Sequence, residues 1–172
     1  IIANNCDTIM GPIWQKEARF PILVKWLDCH ERLSLQVHPP ESIASALHGE
    51  PKTENWYVAN ATGDAGLFIG FKETTNKEYF KKALANKDAE NLCHRIESKE
   101  GDSVLVESGR IHAIDGGNLI LEIQQNSDTT YRVYDWGRID QNNRSRTLHI
   151  EESLKSIKFS DRNPILLNTQ NS

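Results

Sequence analysis

Six short segments with strand chemistry stand on both sides of a stretch with helical spacing, and that order limits the folds open to the chain. LSLQVH (33–38), NWYVAN (55–60) and AGLFIGF (65–71) come first; SVLVES (103–108), NLILEIQQ (118–125) and TYRVYDW (130–136) come after. They alternate in polarity or are rich in β-branched and aromatic residues, and Gly- or Asp-bearing turns such as ATGD (61–64) separate them. RFPILVKWLD (19–28) reads as a further, buried strand, followed by the turn CHER (29–32). Between the two sets, TNKEYFKKALAN (75–86) and KDAENLCHRIES (87–98) place apolar residues three and four apart and predict two helices, the second capped by Asp88 or the preceding loop. PESIASALHG (40–49) predicts a short helix ending at Gly49, and RTLHIEESLKSIKF (146–159) a last helix with Leu154 and Ile157 on its inner side. This is not the strand–helix alternation of a parallel sheet. It fits a mainly β, antiparallel barrel or sandwich with a helical insertion over about residues 76–98 and a C-terminal helix.

The 172 residues suit one domain with a sizeable core. A net charge of −4, with both signs mixed along the chain, argues against a nucleic-acid partner, which requires a basic stripe. No apolar run reaches the roughly 20 residues of a membrane span. Cys6, Cys29 and Cys93 are scattered and odd in number, which fits a reducing cytoplasm rather than a disulfide framework.

Candidate chemistry begins in LSLQVHPPES. Leu33, Leu35 and Val37 share one face of a strand, so Ser34, Gln36 and His38 share the other. A lone histidine at a strand end is more often structural than a ligand; further ligands elsewhere would decide. In GDSVLVESGRIHAI, Gly109 can adopt positive φ, reverse the chain and send His112 back into a barrel. Its glycine–glycine–histidine spacing resembles a cupin motif, with Glu107 where proline is usual. Glu54 directly precedes the NWYVAN strand. Gln36, His38, Glu54 and His112 together offer two imidazoles, one carboxylate and one amide oxygen, a set suited to zinc and acceptable to manganese or iron. In NLILEIQQ, Glu122 lies opposite Leu119, Leu121 and Ile123, and Arg132 alternates against Tyr131 and Val133. If those faces line the interior, a carboxylate and a guanidinium are held inside, a costly placement unless they are paired or used. A solvated outer face is the alternative.

LSLQVHPPES, PKTENWY, GRIHAI, LEIQQNSDTTYRVYDW and the later LH occur in an order that resembles type I phosphomannose isomerases, especially the shorter bacterial members, from about Phe20 to Ile157. The resemblance implies a cupin-type jelly-roll barrel and a zinc-dependent isomerase that interconverts mannose 6-phosphate and fructose 6-phosphate through a cis-enediol. Carried over position by position, it implies that Gln36, His38, Glu54 and His112 are ligands of one Zn2+, and that Lys52, Glu122 and Arg132 are catalytic. Glu122 is the first choice of base, with Lys52 and a metal-linked water as rivals. A non-catalytic cupin that binds metal and sugar phosphate is the alternative. The chain opens on Ile1 and lacks the tryptophan–glycine-rich segment and the second cupin half of the family, so residues 1–172 are expected to form a single cupin-like catalytic domain within a longer chain.

Overall fold

The computed structural model describes residues 4–15, 19–73, 75–162 and 164–168. A short helix α1 (Cys6–Met10) precedes strands β1 (Ile22–Cys29) and β2 (Leu35–Val37); then come helix α2 (Glu41–Ala44), running into a 3-10 turn over Ser45–Leu47, and β3 (Glu54–Ala61) and β4 (Gly66–Phe71). Helix α3 (Lys77–Ala85) leads through a 3-10 turn (Ala89–Leu92) to β5 (Cys93–Glu97), β6 (Asp102–Val106), β7 (His112–Ile114), β8 (Asn118–Gln125) and β9 (Tyr131–Tyr134). Helix α4 (Ile150–Ser156) and β10 (Leu167–Asn168) close the described chain.

The strands form two five-stranded sheets, in the orders β1-β8-β3-β6-β10 and β5-β4-β7-β2-β9. Every pairing of these strands is antiparallel. The inner faces meet: Trp56, Val58, Val104 and Ile120 of the first sheet form one apolar cluster with Leu67, Ile69 and Ile114 of the second. The other face of the second sheet carries Leu35, Val37, Ala113 and Val133, which pack with Phe71, Phe80, Leu154 and Ile157. Burial on both faces explains why β4 is apolar throughout rather than alternating. The expected antiparallel jelly-roll architecture is thus present.

Two local expectations are corrected. KDAENLCHRIES is not a helix: after the turn at Ala89–Leu92 it becomes β5, with Ile96 paired to Leu67 and Arg95 to Phe68. Leu92 and Ile96 sit four apart, as on a helix, but the fully buried Cys93 between them belongs to the core beneath the sheet. The insertion is therefore helical only in its first half, where the Asn76 side chain accepts the Tyr79 N–H at 2.9 Å and caps α3. The segment read as a buried strand, β1, is a sheet edge that pairs only to β8 among the described residues, and its outward Val24 and Trp26 are exposed.

Gly109 has φ +90°, as its place in the turn requires. Arg110 N–H donates to Glu107 O (3.0 Å) across this turn, and Gly109 N–H donates to His38 O (2.8 Å). That second bond ties the end of the His38 strand to the turn that delivers His112.

Candidate metal centre

The alternation of β2 carries through to the site. Leu35 and Val37 are fully buried beneath the second sheet, so Ser34, Gln36 and His38 face the interior. Gln36 pairs across to His112 on β7 and to Arg132 on β9, which sets all three on the same inner face. The first sheet faces them with Glu54 and Trp56 on β3, Glu122 and Gln124 on β8, and Lys25 on β1; the register places Trp56 beside Glu122 and Glu122 beside Lys25.

His38, Glu54 and His112 are at most 1 % exposed, and their ligand atoms all lie within 4.8 Å of one another. The His38 Nδ1 is 2.8 Å from Thr129 O and the His112 Nδ1 2.8 Å from Arg110 O. A carbonyl only accepts, so each Nδ1 carries the proton and each Nε2 points at the cluster. Both Nε2 atoms and Glu54 Oε1 are buried without a hydrogen-bond partner among the described residues. Such orphaned atoms are costly to bury, and an ion among them would satisfy all three at once. Lys52 Nζ comes within 2.8 Å of Glu54 Oε1, in ion-pair range but without a hydrogen-bonding alignment.

The charge states suit a cation. Burial works against ionisation of Glu54, but His38, His112 and Lys52 outweigh it and hold the carboxyl well below the usual range. Burial, reinforced by His38, lowers the His112 pKa to about 3, so its imidazole is neutral and free to ligate at neutral pH. Two imidazoles and a carboxylate fit zinc well and leave a coordination position open. Gln36 shares the inner face, directly across from His112, and is half-buried.

The remaining expected residues surround this cradle. The 5 %-exposed Glu122 accepts from the Trp56 indole N–H at 3.1 Å through Oε2 and from Lys25 Nζ at 3.3 Å through Oε1. Burial, and then the Glu54 charge, raise the Glu122 pKa above its ordinary value, against the pull of Lys52 and Lys25. Arg132 is two strands from His112, on the order of 10 Å. Its guanidinium donates to Ser34 Oγ (3.2 Å) and Thr147 O (3.1 Å). Lys25 and Trp56 are not among the residues singled out by sequence. The signal for Lys25 was its phase in β1: it alternates with the outward Val24 and Trp26 and so faces inward with Leu23 and Leu27.

Two antiparallel sheets that enclose a His–Glu–His cradle define a protein of the cupin class with a candidate metal site. Residues 3–82 match the family model "Phosphomannose isomerase type I, catalytic domain". The chain is 48 % identical over 141 residues to the probable mannose-6-phosphate isomerase GmuF of Bacillus subtilis (strain 168), covering 80 % of this chain and 44 % of that protein. It superposes on the crystal structure of the mannose 6-phosphate isomerase from Bacillus subtilis with a TM-score of 0.81 at 35 % identity, covering 91 % of this chain and 50 % of that one. A zinc-bound mannose 6-phosphate isomerase shares the fold at a TM-score of 0.69 and 16 % identity, covering 95 % of this chain and 60 % of that one. The chain belongs to the type I phosphomannose isomerase family. It spans a little under half the length of the curated relatives it matches.

Proposed function

We propose that this chain carries the catalytic centre of a zinc-dependent mannose-6-phosphate isomerase, acting in the cytoplasm as one cupin-type unit. The observation that carries the proposal is the convergence of three orphaned buried donor atoms, on His38, Glu54 and His112, beside an inward-facing carboxylate, Glu122. Gln36, on the same inner face, completes the ligand set. Three free, buried cysteines support a reducing compartment. Among the described residues no helix is long and apolar enough to cross a membrane.

The bound zinc would align the sugar oxygens and act as a Lewis acid toward the carbonyl. The chain's own groups handle the protons. The Glu122 carboxylate takes the proton from C2 of the open-chain aldose; the C–H electron pair forms the C1=C2 bond, and O1 gains a proton to give the cis-enediol. Glu122 then returns its proton to C1 while O2 gives up a proton and becomes the ketose carbonyl. Burial beside Glu54 makes Glu122 a stronger base than an exposed carboxylate. Lys25 and Trp56 hold its two oxygens. Lys52, buried against Glu54, neutralises that carboxylate; it gives O1 its proton and takes back the one O2 releases, and it is the rival of Glu122 as the base. Arg132, half-buried on the same face, offers a planar cation to an anionic oxygen of the substrate.

A coupled assay for fructose 6-phosphate, run on the zinc-loaded chain and again after chelation, tests the proposal. Turnover that disappears with the metal and returns with added zinc is the expected result. A chain that binds zinc and mannose 6-phosphate without turnover is a binding cupin instead.

A further inference from the structure

Glu54 turns its Oε1 to the metal cradle, while its Oε2 accepts a hydrogen bond from the Trp56 indole at 3.0 Å. The same Nε1–H lies 3.1 Å from Glu122 Oε2. An indole has one N–H and no acceptor, so a single proton is shared between two buried carboxylates. The arrangement follows from the strand pattern: Trp56 is two residues beyond Glu54 on the inner face of β3 and directly across from Glu122 on β8. The ring is 1 % exposed and meets the His112 imidazole edge-on, with centroids 5.4 Å apart. Packing alone accounts for a large apolar ring here, as for Val58 and Ile120 deeper in the same cluster. It does not account for the N–H, which a phenyl ring would fill the space without.

We propose that Trp56 is a positioning residue of the isomerisation site: its one indole N–H fixes the ligand carboxylate of Glu54 and the proton-transferring carboxylate of Glu122 relative to each other. This inference rests on the roles proposed above for those two residues. Glu54 and Glu122 sit on different strands, and no hydrogen bond joins them directly, so Trp56 sets the separation between the metal cradle and the base. An ion drawing electron density from Glu54 weakens that carboxylate as an acceptor and shifts the shared proton toward Glu122, so metal occupancy and base orientation are coupled through one hydrogen bond. The indole is 1 % exposed, whereas Lys25, Gln36 and Arg132 on the same inner faces are half-buried and within reach of a substrate. Its effect therefore falls on the proton transfer rather than on substrate binding.

The experiment pairs Trp56→Phe with spectroscopy of the indole. The 15N-labelled 172-residue chain has four tryptophans and four indole N–H signals, and Trp56→Phe assigns one by its disappearance. That signal is expected to move on zinc addition and in Glu122→Gln, while those of Trp14, Trp26 and Trp136 hold. In turnover, Trp56→Phe is expected to bind one zinc, keep KM within about twofold and lose roughly 10- to 100-fold in kcat, the scale of a hydrogen bond to a charged group. Normal kcat in the folded, zinc-bound variant overturns the proposal, as does a Trp56 signal unmoved by Glu122→Gln. If Trp56→Phe does not fold, the response of the wild-type signal to Glu122→Gln decides. If the wild-type chain shows no turnover, the isomerase reading fails separately, and the indole response to zinc and to Glu122→Gln still decides whether the shared hydrogen bond exists.

Discussion

His38 Nε2 lies 3.1 Å from Glu54 Oε1 although both atoms are buried and neither has a hydrogen-bonding partner among the described residues. The opposite nitrogen of the ring is committed to Thr129 O, so the imidazole cannot turn away. His112 repeats the device through Arg110 O. Two imidazoles locked by backbone carbonyls and aimed at one carboxylate oxygen form a rigid cation cradle, because the tautomer and ring orientation are set before any ion arrives.

Removing one wall of that cradle should remove the ion. His112→Ala is expected to weaken zinc binding by more than about 100-fold, beyond the 10- to 100-fold typical of losing only a supporting hydrogen bond to a ligand. Zinc competition against a chromophoric chelator checks this. Wild-type affinity in the variant would remove His112 from the ligand set.

The metal-free chain should lose stability as the pH falls. The folded-state pKa of His112, about 3, is below its unfolded value, so between roughly pH 6.5 and 3 the unfolded state binds the extra proton. Stability from this group is present at neutral pH and falls by at most about 1.4 kcal/mol per pH unit across that window. Glu122, raised in the folded state, works in the opposite direction above its unfolded value. The difference between wild type and His112→Gln in urea titrations at pH 7 and pH 5 isolates the imidazole; the wild type should lose more stability on acidification.

Arg132→Ala should separate charge stabilisation from metal binding. Zinc stoichiometry is expected to stay at one per chain while kcat falls about 10²- to 10³-fold, the usual cost of losing one donor to a developing anion. Arg132→Lys should recover little, because an ammonium cannot reproduce the planar fork held by Ser34 and Thr147. Metal analysis and steady-state kinetics on the same samples are the check.

The turn at Gly109 should be intolerant of a side chain. Its φ is +90°, and a Cβ would sit 3.2 Å from Ser156 O and 3.3 Å from Pro40 Cγ. Gly109→Ala is expected to cost about 1–3 kcal/mol in chemical denaturation. Because Gly109 also bonds to His38 O, the same change should weaken zinc binding.

How much of this was legible in the sequence depended on whether alternation alone carried the information. It did in β2 and β8, where Gln36 and His38 oppose Leu35 and Val37, and Glu122 opposes Leu121. The polar residues proved to be the inner ones because Leu121 and Ile123 lie on the outward side of the first sheet, where Ile123 is exposed. It failed at 87–98, where Leu92 and Ile96 mimic a helical stripe and only pairing with β4 turns the segment into a strand. It failed differently at Lys25 and Trp56. Among apolar neighbours each looked like ordinary strand filling, and their meaning came from which strand lay beside them: β8 brings Glu122 next to both. Cross-strand register is a tertiary fact that no local pattern contains.

The most direct measurement is a zinc titration of the metal-free 172-residue chain at neutral pH, with wild type and Glu54→Gln side by side. One zinc per wild-type chain, with binding sharply weakened when the Glu54 carboxylate becomes an amide, is the expected result. No stoichiometric binding by the wild type, or equal binding by both proteins, would contradict a metal centre built on His38, Glu54 and His112.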